Sequence, residues 1–143
     1  CRVSTKSQKD DLEKQVENVK SYMYAKGYSF EVITDIGSGI NYKNKGLQQL
    51  ISLIDSNQVT KLVILYKDRL VRFGFELIQL LCDLHDVKIE IIDNSERSKE
   101  EELTSDLIQV VTMFANRLYG SKSKKTKTLI ERVSDATRDE NRT

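Results

Sequence analysis

Apolar residues recur at helical spacing through "DDLEKQVENVKSYMYAKG", at Leu12, Val16, Val19 and Met23, and the run stops at Gly27. A glycine at that point predicts a helix closed by a left-handed cap. "YSFEVITD" then alternates and is rich in β-branched and aromatic residues, which predicts a strand over 28–35. The polar, glycine-punctuated "IGSGINYKNKG" reads as a loop, and "LQQLISLIDS" as a short amphipathic helix. "TKLVILY" is a continuous apolar run of strand length, the pattern of a strand covered on both faces. "FELIQLLCDLHD" returns to helical period, and "VKIEIID" reads as a further strand. Strands alternating with helices at this spacing predict βαβ units. The expected fold class is α/β, a three-layer α/β/α arrangement with a mostly parallel sheet of about four strands.

From about Lys99 the pattern changes. "KEEELTSDLIQVVTMFANRLYGSKSKKTKTLIERVSD" holds no proline and one glycine, and predicts a single helix of more than 30 residues. Leu103, Leu107, Val110, Val111, Phe114 and Leu118 form an apolar stripe, resumed weakly by Leu129 and Val133. A helix that long overshoots a small sheet, so part of its stripe needs another cover. A second copy of the same helix is the simplest one. Acidic residues Glu100, Glu101, Glu102 and Asp106 crowd the first turns, while Arg117, Lys122, Lys124, Lys125, Lys127 and Arg132 gather later. So many cations exceed what a helix dipole calls for. Contact with DNA phosphates at Arg117, Lys122, Lys124, Lys125 and Lys127 is favoured over a merely solvated face. The chain therefore divides into an α/β core over 1–98 and a helix and tail over 99–143, within one domain.

Composition narrows the picture only a little. The 143 residues are enough for a buried core. The net charge of +1 leaves local patches to decide about partners. Cys1 and Cys82 form no CxxC pattern, which excludes a zinc ribbon or disulfide scaffold and suits a reducing, cytosolic compartment. No apolar run approaches the ~20 residues of a membrane span. The opening "CRVSTKSQKDD" lacks a methionine and reads as the end of a strand, so the expectation is a chain that starts inside the first strand of a longer polypeptide.

In a parallel α/β sheet, chemistry gathers at the carboxyl ends of the strands. Ser4 follows the first strand fragment, Asp35, Ser38 and Gly39 follow the second, and Asp68, Arg69 and Arg72 follow the third. With Arg2, that rim offers one hydroxyl nucleophile and at least three guanidiniums. Histidine is absent from these loops; His85 sits at the end of an amphipathic helix. A serine among arginines without a His–Asp partner makes a poor acyl-transfer site. It suits phosphoryl transfer, where guanidinium forks match the extra charge on the equatorial oxygens. Taken singly, Ser4 is a strand-end turn residue and Arg69 and Arg72 a solvated helix face; their ordered occurrence outweighs those readings. Gly37 and Gly39 read as residues for loop mobility. Phosphate-binding glycine motifs are absent. A receiver-like binding module is disfavoured because no carboxylates cluster after the first strand.

Three stretches in order, "RVSTKSQKDDLEKQ", "DIGSGINYKNKGLQQL" and "YKDRLVRFG", resemble the catalytic domain of serine recombinases of the resolvase/invertase superfamily. The resemblance runs from about Arg2 to Arg117. "QKDDLEKQ", "SGINYKNKG" and "ANRLYGSKS" are most similar to the small recombinases of insertion sequences, which carry a MerR-like DNA-binding module ahead of the catalytic domain. The resemblance implies that Ser4 is a nucleophile taking the 5′ phosphate of a cut strand. It implies that Arg2, Arg69 and Arg72 hold the scissile phosphate and that Asp68 orients the arginines or moves a proton. Gln8, Gln15, Asp35, Ser38 and Lys45 would support the site. No cofactor or metal is implied. The implied partners are double-stranded DNA and further copies of the chain, a dimer that becomes a tetramer in the active complex, with no membrane. Asn44 stands where the family usually carries an arginine. That departure leaves one alternative, a catalytically impaired relative acting as a DNA-binding, oligomerising regulatory partner.

Overall fold

Leu12, Val19 and Met23 are buried along α1 (Lys9–Lys26), and Gly27, at φ +71°, closes the helix by donating to the carbonyls of Met23 and Tyr24. The computed structural model describes residues 1–93 and 100–140, which fall into two units, Cys1–Arg97 and Ser98–Thr143. In the first unit, β1 (Arg2–Val3) runs parallel to β2 (Asp35–Ile36), with Arg2 opposite Asp35. β3 (Lys61–Ile64) runs parallel to β4 (Lys88–Ile91), with Ile64 opposite Ile91. The helix α2 (Lys45–Asp55), the single turn α3 (Lys67–Leu70) and the helix α4 (Phe75–Leu84) complete the unit.

Its core joins Leu47, Leu50 and Ile54 of α2 to Ile64 of β3, Leu70, Val71, Ile78, Cys82 and Val87. The Cys82 thiol is fully enclosed, and loss of solvation pushes its pKa up. The buried residues of α1 stand outside this cluster, and α1 packs on β1. Crossovers through helices between parallel strands are what the alternating pattern predicts, and they carry the loops after β1, β2 and β3 to a common rim.

Two expectations about element length need correction. The strand expected over 28–35 is hydrogen-bonded as β2 only at Asp35–Ile36. Pairing with β1 reaches back no further than Ile33, whose carbonyl accepts from the Cys1 amine at 3.0 Å. The strands therefore form two parallel pairs, with a cavity of about 640 Å³ lined from both, including Ile33, Leu62 and Ile64.

The single long helix is instead two, α5 (Glu100–Tyr119) and α6 (Lys124–Glu140). Gly120 adopts φ +83° and bonds back to the Asn116 carbonyl, a left-handed stop. Ser123 then starts α6, its Oγ accepting from the Lys125 N–H at 3.2 Å. Thr126 is 2 % exposed and ties the two helices, its hydroxyl donating to the carbonyls of Gly120 at 2.8 Å and Ala115 at 3.3 Å.

Candidate active site

Successive side chains of an extended segment point to opposite sides, so Arg2 and Ser4 share a side. Arg2 is 2 % exposed, yet its backbone lacks a full complement of strand neighbours. Gln15 of α1 supplies them. Its Oε1 accepts from the Arg2 N–H at 3.2 Å and its Nε2 donates to the Arg2 carbonyl at 3.0 Å. Arg69 donates from Nη1 to the same carbonyl at 2.7 Å, and its guanidinium lies 5.0 Å above the Tyr66 ring. The Arg2 guanidinium is held in turn by two carbonyls, Gly37 O at 3.0 Å from Nη1 and Asp68 O against Nη2. Nη1 also stands 3.5 Å from Ser4 Oγ.

Ser4 is half-buried, so its hydroxyl stays reachable. Gln8 sets its backbone: Oε1 accepts from the N–H groups of Ser4 at 3.0 Å and Thr5 at 3.1 Å at the start of the short turn Lys6–Gln8. Across the rim, Asp68 Oδ2 pairs with Arg72 Nη1 at 2.8 Å. Leu70 and Val71 are buried and anchor this turn, as expected of apolar residues between the arginines. The arginines themselves turn inward, Arg69 being 5 % exposed and the Arg72 side chain 4 %. A packed Leu70–Val71 turn was expected to aim both arginines outward; they turn inward because the carbonyl and carboxylate partners lie there.

Asp35 turns both carboxylate oxygens to the start of α2, accepting from Gly46 N at 2.7 Å and Leu47 N at 2.9 Å. Ser38 Oγ accepts from the Ile40 N–H at 3.3 Å within its own loop. Lys45 is exposed on the first turn of α2. Arg117, Lys122, Lys124, Lys125 and Lys127 are exposed in the second unit, on α5, the turn and α6. A hydroxyl beside one buried guanidinium, with an ion-paired arginine and a stacked arginine close by, has the donor set for a phosphodiester.

A family model described as the resolvase N-terminal domain matches residues 1–136. The chain belongs to the resolvase N-terminal domain family. Protein L103 of Acanthamoeba polyphaga mimivirus, whose name places it among resolvases, is 43 % identical over 129 residues; the match covers 89 % of this chain and 65 % of L103. The chain thus spans about 65 % of that relative's length. The crystal structure of the C-terminal catalytic domain of ISC1926 TnpA, an IS607-like serine recombinase, superposes with a TM-score of 0.89. It is 43 % identical, and the match covers 94 % of this chain and 93 % of that one. A serine recombinase from Sulfolobus solfataricus gives a TM-score of 0.82 at 39 % identity, covering 96 % and 94 %.

In this resolvase-family chain, sequence reasoning missed the backbone. The Gly37 and Asp68 carbonyls that fix Arg2 carry no side-chain signal. Gly39 was expected to lend mobility; in fact a Cβ there would stand 2.9 Å from Arg2 Nη2 and 3.1 Å from Arg72 N, so its role is close approach. Tyr42 was missed as well, and Asn44 was marked only as a departure from the family's arginine. Asn44 Nδ2 donates to the Ser38 carbonyl at 2.9 Å, and the Tyr42 hydroxyl bonds the Phe73 carbonyl. Small residues facing arginine-bearing turns were the available hint.

Proposed function

We propose that this chain is the catalytic domain of a recombinase of the insertion-sequence type, cutting and rejoining DNA through a 5′-phosphoserine link at Ser4. The Ser4 Oγ–phosphorus bond forms as the P–O3′ bond breaks; the serine proton leaves and the departing O3′ is released as a hydroxyl. Attack by another 3′ hydroxyl on the same phosphorus reverses the step and frees Ser4. Arg2 and Arg72 face the charge that builds on the phosphate oxygens, with Arg69 holding the Arg2 backbone and Asp68 orienting Arg72. The observation that carries this reading is the Arg2 guanidinium bridging Ser4 Oγ, Gly37 O and Asp68 O, three points up to 66 residues from Arg2 in sequence.

Assembly and DNA contact belong to the second unit. Four residues of its stripe, Leu103, Leu107, Phe114 and Leu118, are exposed by 45–71 %. That apolar surface supports pairing with a second copy, and pairs of such dimers would form the active tetramer. The cations from Arg117 to Lys127 would meet the DNA backbone. Such an enzyme works in the cytoplasm, where DNA is accessible. The test is incubation with a pool of random-sequence duplexes followed by denaturing electrophoresis. A DNA-linked band that disappears in Ser4→Ala supports the reading; a band that persists in Ser4→Ala overturns it.

A further inference from the structure

Asn44 sits at the N-cap of α2 but does not cap it; Asp35 does that from β2. Its amide instead turns back over the loop. Nδ2 donates to the Ser38 carbonyl at 2.9 Å, and Oδ1 lies so close over Gly37 that any Cβ there would overlap it. Gly37 is the residue whose carbonyl receives Arg2 Nη1 at 3.0 Å, while its N–H continues the strand by donating to Val3 O at 2.9 Å. One amide group therefore covers one face of the Gly37 residue and ties the next carbonyl, leaving the Gly37 carbonyl a single direction. That direction is toward the guanidinium which stands 3.5 Å from Ser4 Oγ.

We infer that Asn44 is a positioning residue for the Ser4–Arg2 pair: it orients the Gly37 carbonyl and through it the Arg2 guanidinium, without touching DNA. The inference rests on the reading of Ser4 and Arg2 given above. It also assigns work to a position that would otherwise count against activity. A neutral, short amide fits because the space over Gly37 admits a planar group and the Ser38 carbonyl asks for a donor. Asn44→Asp keeps the shape but turns an acceptor toward that carbonyl. Asn44→Ala removes both the donor and the cover. Gly37→Ala pushes a methyl group into the amide.

The experiment measures single-turnover formation of the serine–DNA adduct at saturating duplex, DNA affinity, and the side-chain nitrogen signals of Arg2 by NMR, all on the chain as it stands. Asn44→Ala and Asn44→Asp are expected to slow adduct formation about tenfold, roughly the worth of one hydrogen bond, with affinity changed less than about twofold. Gly37→Ala should slow it as well, and Gly37→Ala with Asn44→Ala should be no worse than Gly37→Ala alone, because the overlap is gone. The Arg2 side-chain N–H groups are buried and hydrogen-bonded, so their signals should exchange slowly in the parent and faster in both Asn44 variants. Parent-like rates together with unchanged Arg2 signals overturn the inference, and so do Gly37→Ala and Asn44→Ala effects that simply add. A parent chain that forms no adduct overturns the functional reading instead, and the Arg2 signals then decide on Asn44 by themselves.

Discussion

Removing the carboxylate of Asp35 tests whether this residue holds the loop's frame or serves the chemistry directly. Both of its oxygens accept from backbone N–H groups at the start of α2, Gly46 at 2.7 Å and Leu47 at 2.9 Å, and both of those residues are buried. Gly46 has no side chain because a Cβ would lie 2.7 Å from the same carboxylate. In Asp35→Ala two enclosed donors lose their partner, at about 1–3 kcal/mol for each one left unsatisfied, and the favourable charge at the helix start goes too. Partial access of water to the end of a helix reduces the sum, and a loss of about 3 kcal/mol is expected. That is a large part of the ~5–15 kcal/mol that holds a domain together. Asp35→Asn keeps one acceptor and should lose about 1–1.5 kcal/mol. Urea unfolding followed by circular dichroism reads both, with the slope unchanged and the midpoint lowered in that order. An Asp35→Ala midpoint within about 0.5 kcal/mol of the parent would refute the capping argument and return Asp35 to the active-site group.

Arg69→Lys should slow adduct formation about tenfold, roughly the worth of one hydrogen bond, because lysine has no plane to stack on Tyr66 while donating to the Arg2 carbonyl. Parent-like single-turnover rates in both Arg69→Lys and Arg72→Lys would mean that only net positive charge matters. Phe114→Asp, at a position 61 % exposed, should leave the fold intact and yield a monomer by sedimentation; an unchanged dimer would move the interface elsewhere. Thr126→Val keeps the volume but removes the hydroxyl's bonds to the Ala115 and Gly120 carbonyls, the latter keeping the Ser123 N–H, for about 1 kcal/mol. Thermal unfolding should fall by a few degrees, and no shift would show that the α5–α6 turn holds without it.

How much of this could be read beforehand depended on where each signal resided. Helical stripes and the buried runs of β3 and α4 were legible because burial acts on side chains, which sequence records. The break at Gly120 was also written in the chain: a glycine followed three residues later by a serine is a stop and a start. The apolar stripe, which resumes at Leu129, masks that break. The short β2 was not legible, since strand length depends on the neighbour's reach and not on β2's own alternation. Ser4, Arg2, Asp68 and Arg72 converged as the order of strands and loops predicts. Gln15 lies where the family resemblance pointed, but its grip on both sides of the Arg2 peptide could not be anticipated from a helix pattern. Asp35 sits beside the site for a different reason, since a carboxylate after a strand caps whichever helix begins next to it.

The central claim is that Ser4 becomes the covalent link to DNA. Protease digestion of the trapped adduct, made with duplexes labelled at either end of each strand, locates both the linked residue and the polarity of the cut. A nucleotide joined through its 5′ phosphate to Ser4, on a peptide spanning "VSTK", with a free 3′ hydroxyl on the other fragment, is the predicted result. Attachment at Thr5, Ser7 or any other residue, or a 3′-phosphate linkage at Ser4, would contradict it.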